Sequence, residues 1–242
     1  MNGKIRLFLL SFLFLPFLLP AQDVLRGEVR VELEPIFGAY VDEEYPLDKD
    51  AAYRRALQEA AMYFSAQIYG WSFYYDVGER ARNIEEKLEL TPLGEIRWGD
   101  PGLYVTHANF QNREFETTTQ RFSAFLSAWL DYRPTDAQRR RLEMWQKGNI
   151  RPAQAIGYSS IGAIRGSSEE PYWLAIKKNA LEDSARAAVR AMLQGSERNR
   201  PKEVTGFICL ESFPFFYIDS GRQATRARFR VEITEIVPFS AY

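Results

Sequence analysis

Apolar and polar residues alternate from Gly27 to Leu33, with Val29, Val31 and Leu33 on one side and Glu28, Arg30, Glu32 and Glu34 on the other. A period of two predicts a half-buried strand, and Pro35 ends it. The period then lengthens. Tyr53, Leu57, Ala60, Ala61, Phe64 and Ile68 recur at three and four, which predicts a helix over 48–69, capped by Asp48 or Asp50 and stopped by Gly70. Trp71 to Val77 follows as an aromatic strand. The charged run Glu79 to Glu89 is expected as an exposed helix or loop, and Gly99-Asp100-Pro101-Gly102 as a turn. Leu103 to Glu116 has strand character. From Thr119, Phe122, Phe125, Leu126, Trp129 and Leu130 form a helical stripe broken by Pro134, and Thr135 caps a second short helix that ends at Gly148.

The same order then returns. Ala153 to Ile161 is a strand, Tyr172 to Gln194 a helix, Glu203 to Ile218 a strand interrupted by Pro214, and Asp219-Ser220-Gly221 a hairpin turn. Ala224 to Val237 alternates, with Ala227, Phe229, Val231 and Ile233 inward and Arg226, Arg228, Arg230 and Glu232 outward. The recurrence extends to letters. Gly38-Ala39-Tyr40 is followed eighteen residues on by Ala56-Leu57-Gln58-Glu59-Ala60-Ala61. Gly162-Ala163-Ile164 is followed, at the same spacing, by Ala180-Leu181-Glu182-Asp183-Ser184-Ala185. Arg54 falls on Lys178. A constant offset of 124 residues is the mark of a duplicated unit. The expected fold is therefore α+β: two strand-helix-strand-strand repeats with antiparallel sheet, 22–118 and 151–242, joined by a helical connector, 119–150.

Residues 1–21 stand apart. Lys4 and Arg6 precede a thirteen-residue apolar run, Leu7 to Leu19, and small residues close it at Pro20-Ala21-Gln22. Basic, apolar, small is the order of a secretory signal, and the run is shorter than the ~20 residues of a membrane-spanning helix. The expected location is periplasmic; an uncleaved signal would instead tether the chain to a membrane. The formal net charge of −1 leaves no general attraction to nucleic acid. Aromatic residues make up 14% of the chain, which demands packed structure. Cys209 is the only cysteine, so no disulfide framework exists within the chain, and its apolar neighbours predict a buried thiol.

These pieces resemble a known type. A short strand after an export signal, the helix Ala-x-Arg-Arg-Ala-Leu-Gln-Glu-Ala-Ala at Ala52 to Ala61, and an aromatic strand after Gly70 are similar to the N-terminal domain of the flagellar assembly protein FlgT. They are similar also to small outer-membrane lipoproteins built on such a unit. Ile156-Gly157-Tyr158 with Ala180 to Ala185 repeats the likeness. The chain departs from it in having no lipid-accepting Cys and in carrying the 80–150 segment. The resemblance implies a non-catalytic periplasmic component of an envelope or flagellar assembly, and it supplies no catalytic residue to carry over.

The search for chemistry agrees with that expectation. His107 is the only histidine and sits in a strand pattern, without a Gly-x-Ser-x-Gly elbow anywhere. Zinc-type sites need several His and Cys ligands, and Asp42, Glu43, Glu44, Asp48 and Asp50 lack the spacing of a calcium loop. They read as an acidic segment that favours a helix N-terminus. Glu114 and Glu116 share a strand face about 7 Å apart, a separation open to inverting glycoside hydrolysis, but Glu-x-Glu is ordinarily a wet strand face. No catalytic residue, metal or cofactor is therefore expected. Arg226, Arg228 and Arg230, with Arg222 nearby, are the distinctive basic feature, suited to gripping carboxylates. Trp71 and Tyr74 are expected to contribute aromatic contact. The sequence thus predicts an exported binding or assembly protein with an envelope or flagellar protein partner; the alternative is an exported hydrolase of envelope glycans or peptides.

Overall fold

The computed structural model describes residues 24–34, 45–78, 85–112, 124–160, 170–196 and 201–238. Residues 1–21, the acidic residues Asp42 to Glu44, the pair Glu114 and Glu116, and the glycines Gly38 and Gly162 lie outside them. The elements run β1 (Leu25–Glu32), α1 (Lys49–Ile68), β2 (Trp71–Asp76), β3 (Lys87–Pro92), β4 (Leu103–Asn112), β5 (Ala124–Tyr132), α2 (Asp136–Lys147), β6 (Ile150–Tyr158), α3 (Tyr172–Ser196), β7 (Glu203–Leu210), β8 (Phe215–Asp219) and β9 (Arg222–Val237). Every strand pairing is antiparallel, and the fold is α+β, as expected.

Two sheets divide the strands. One is ordered β1-β5-β4; the other runs β3-β2-β7-β9-β6, with β8 also paired to β9. Because β2 is hydrogen-bonded to β7, the first and second halves of the chain share the larger sheet. The element order is compatible with duplication. The first strand of each half lies against a later strand that also hairpins with its predecessor: β1-β5-β4 in one half, β6-β9-β8 in the other. The helices keep the 124-residue register in burial as well as in letters. Ala56, Ala60, Ala61 and Phe64 of α1 are buried, as are Ala180, Ser184, Ala185 and Ala188 of α3.

Local chemistry explains the boundaries. Asp48 accepts from the Ala51 amide at 2.7 Å and starts α1. Gly70, at φ +61, reverses the chain into β2, where a side chain would also strike Cys209. Thr135 and Gln138 form a reciprocal capping box on α2, worth about 1 kcal/mol. Between α3 and β6 the approach is closest at Gly157, where an added Cβ would lie 2.0 Å from the Ser184 amide nitrogen. Ser184 Oγ donates to the Ala155 carbonyl at 3.0 Å, and Asp183 accepts from the Tyr158 amide at 2.9 Å. These bonds fix the helix on that strand.

Two elements correct the sequence reading. The stripe expected to open a helical connector is instead strand β5, and among the described residues of that connector only α2 is helical. Leu126, Ala128, Leu130 and Tyr132 point to the core, while Phe125 and Ser127 are also nearly covered on the other face. Arg30 lies over the Phe125 ring at 3.6 Å, and His107 packs on Trp129. A strand apolar on both faces has no visible alternation. The end of the charged run, expected as helix or loop, forms the edge strand β3.

The halves are also joined by a buried ion pair. Lys177 of α3 lies 2.6 Å from Glu59 of α1, whose second oxygen has no partner among the described residues. Tyr63 donates its hydroxyl to the same carboxylate. The Lys177 ammonium also sits over the Phe216 ring at 5.1 Å.

Candidate functional site

The outer face of the larger sheet is set by β9. Its odd residues, Thr225, Ala227, Phe229 and Val231, are fully or almost fully buried. The pleat therefore sends Arg222, Ala224, Arg226, Arg228 and Arg230 to the opposite side. Strand pairing places apolar residues beside them. Ile156 of β6 and Phe215 of β8 lie directly across from Arg226 on either side, and Tyr158 and Tyr217 lie across from Ala224. Phe215 is 66% exposed, Ile156 37%, and Phe215 stacks on Tyr217 with ring centres 5.8 Å apart.

The four arginines differ in their partners. Arg222 lies over the Tyr158 ring at 4.7 Å, and Arg230 faces Glu211 at 3.7 Å. Arg226 and Arg228 are exposed and make no ion pair among the described residues. Successive arginines on this face are about 7 Å apart, so adjacent guanidiniums present forks that accept carboxylates or phosphates. Burial comes first, and the Asp219 carboxylate second, in raising the Tyr158 phenol above its ordinary value, which leaves that ring a neutral platform under Arg222.

The two aromatic residues expected to join this surface are elsewhere. Tyr74 is on the same face but at the other end of the sheet, paired to Thr205, with its hydroxyl bonded to Glu203 and Lys87 close by. Trp71 points to the opposite face and is 6% exposed, so it belongs to the core. The aromatic partners of the arginines are Phe215 and Tyr217, together with Tyr158. The run Phe213 to Tyr217 carried that signal; the strand pairing that aligns it with Arg226 is not visible in the sequence.

A second feature lies on the helix-covered side of the sheet. The C-terminal half of α1, residues 92–98 and the first turns of α3 enclose a cleft of about 730 Å³. Trp71, Ile96 and Leu181, with Ala61 and Ala66, are its buried apolar members. Glu95 and Arg97 stand at the rim, as does the pair Lys178 and Glu170, 3.1 Å apart, and Trp98 is 47% exposed there. The 92–98 wall is pinned: the Ile96 amide donates to Ser65 Oγ at 2.8 Å, and that hydroxyl donates to the Ala61 carbonyl at 2.6 Å. The sequence marked only the Gly99 to Gly102 turn nearby, because the lining comes from three distant segments.

Residues weighed for chemistry are placed as follows. His107 is on β4 beside a bulge in the ladder and packs against Trp129 with ring centres 5.1 Å apart. Cys209 is buried, and burial pushes its thiol up to about 12, which removes the thiolate a nucleophile requires. Among the described residues, no three His, Cys, Asp or Glu side chains converge as metal ligands do, and no helix is long and apolar enough to cross a membrane.

An uncharacterized protein of Treponema pallidum (strain Nichols) is 24% identical over 182 residues, spanning 75% of this chain and 68% of that protein. No solved structure matches. A protein-family model matches residues 17–239, nearly the whole length, and the chain belongs to that family.

Proposed function

We propose that this is an exported, non-catalytic binding or assembly protein of the bacterial envelope that grips an acidic protein partner through the outer face of β6, β9 and β8. The observation that carries the reading is the cross-strand row Ile156-Arg226-Phe215, in which a guanidinium with no ion-pair partner among the described residues is flanked by exposed apolar side chains. Arginine and aromatic residues are the side chains enriched where protein interfaces concentrate their energy. The patch is basic on a chain whose formal net charge is −1, so the positive potential is local rather than general. The basic-apolar-small order of residues 1–21 supports export to the periplasm, and the likeness to FlgT-type units puts the flagellar apparatus among the assemblies to test.

The test is site-specific photo-crosslinking from position 217, on the same face beside the arginines, in envelope fractions, with the captured peptides sequenced. The expected result is cross-links to an acidic segment of one envelope protein, lost in the double variant Arg226→Glu/Arg228→Glu while its melting midpoint stays within about 1 °C of the parent, as surface substitutions allow. Cross-linking that persists unchanged in the double variant overturns the reading, as does turnover of an envelope glycan or peptide by the purified protein.

A further inference from the structure

The cleft between α1, residues 92–98 and α3 is on the other side of the larger sheet from the arginine face and is independent of the partner reading. Its volume, about 730 Å³, falls in the 300–1,000 Å³ range of sites for small organic ligands and accommodates one or two sugar rings. It is held open by the Ile96-to-Ser65 and Ser65-to-Ala61 hydrogen bonds, so a ligand meets a wall already in place.

Its chemistry narrows the ligand. The charged lining is balanced, with Glu95 and Glu170 against Arg97 and Lys178. A net anion approaching the cations meets the carboxylates, and a net cation meets the reverse. A neutral ligand with many hydroxyls loses nothing to either, because hydroxyls accept from Arg and Lys and donate to carboxylates. Trp98, half exposed at the rim, offers a flat face to the C–H side of a pyranose ring, and its position beside Arg97 and Glu95 puts hydrogen-bonding groups next to that face. Inside, Trp71, Ile96 and Leu181 provide a floor that rewards a small apolar group and offers a hydroxyl no partner. An acetamido methyl is such a group.

We propose that this cleft is a binding site for a neutral N-acetylated hexosamine saccharide, stacked on Trp98, with its acetamido methyl against the apolar floor and its hydroxyls on the Arg97, Glu95 and Lys178-Glu170 rim. Glu170, paired to Lys178, and Glu95, exposed on the rim, are placed to accept from the sugar hydroxyls.

The test uses the mature chain and two probes, di-N-acetylchitobiose and cellobiose, titrated to about 10 mM, which detects complexes of only a few kcal/mol. The readout is the set of indole N–H signals from the five tryptophans in a proton-nitrogen correlation spectrum. Di-N-acetylchitobiose is expected to shift the Trp98 signal saturably, and cellobiose to bind at least fivefold more weakly. Trp98→Ala and, separately, Arg97→Ala should each weaken binding at least tenfold, followed through the Trp71 signal. Arg226→Glu/Arg228→Glu should leave the affinity unchanged, so failure here and failure of the partner surface are separate results. No saturable shift, equal binding of cellobiose, or affinity retained within twofold in both cleft variants overturns the proposal.

Discussion

Replacing Lys177 by Met removes the cation from a carboxylate that has almost no water. Glu59 is 4% exposed, Lys177 sits 2.6 Å from one of its oxygens, and the other oxygen has no partner among the described residues. Breaking such a pair by deleting one member costs about 3 to 5 kcal/mol, because the remaining charge stays buried without compensation. The Lys177 side chain is 12% exposed, and Tyr63 still donates to Glu59, so the lower end, about 3 kcal/mol, is the expected value. At about 2 to 4 °C per kcal/mol for a domain of this size, the melting midpoint should fall by roughly 6 to 12 °C. The second half of the argument is the double variant. Glu59→Gln/Lys177→Met leaves no charge to strand, keeps an amide oxygen to accept from Tyr63 and places an apolar side chain against Phe216 and Trp173, so it should recover to within about 1 kcal/mol of the parent. Urea unfolding of the parent, both single variants and the double variant gives the coupling directly. A single variant that costs less than about 1 kcal/mol, or a double variant whose loss equals the sum of the singles, refutes the claim that this pair latches α1 to α3.

Two further outcomes test the buried chemistry. Cys209, with its thiol pushed up to about 12 by burial, should resist alkylation at pH 8 in the folded protein and react fully in denaturant; stoichiometric labelling of the native state within minutes would contradict that burial. Burial raises the Glu182 carboxyl above its ordinary value, only partly offset by Arg186 at 3.4 Å. The folded state then holds that proton more tightly than the unfolded chain, so Glu182 removes stability as pH rises from the ordinary glutamate range through the raised one. Glu182→Gln should gain stability relative to the parent across that rise, and a stability difference flat with pH in urea titrations would count against it.

Much of the fold is written in period. Val29 and Val31, or Ala227, Phe229 and Val231, are buried because alternate positions of a one-sided strand meet the core, and that pattern survives in the letters. The caps are equally local: Asp48, Gly70 and Thr135 act within a turn of where they stand. Strand β5 fails for the opposite reason. It is the central strand of its sheet, and its outward residues Phe125 and Trp129 are apolar because Arg30 and His107 from neighbouring strands lie over them. Phe122, Phe125, Leu126, Trp129 and Leu130 then imitate a three-four helical stripe. Strand β3 is hidden from the other side. Only Leu88 and Leu90 of Lys-Leu-Glu-Leu-Thr-Pro face inward, and an edge strand with Lys and Pro at its ends looks like a charged loop.

The candidate surfaces divide along the same line. Arg226 and Arg228 were legible as an outward row because β9 supplies both the row and the buried residues that force it outward. Whether such a row is a solvated face or a contact surface depends on its lateral neighbours, and those come from pairing. Register puts Ile156 and Phe215 against Arg226, where acidic side chains would have neutralised it; of the acids on this face, Glu211 takes Arg230 and Asp219 lies across from Arg222. A one-residue slip of β8 would bring Phe216 and its buried-side neighbours to the surface and turn Phe215 and Tyr217 inward. The hairpin at Asp219 to Gly221, with positive φ at both Ser220 and Gly221, fixes that register over five pairs. The turn is therefore part of the surface: it determines which aromatic rings stand beside the Arg226 guanidinium.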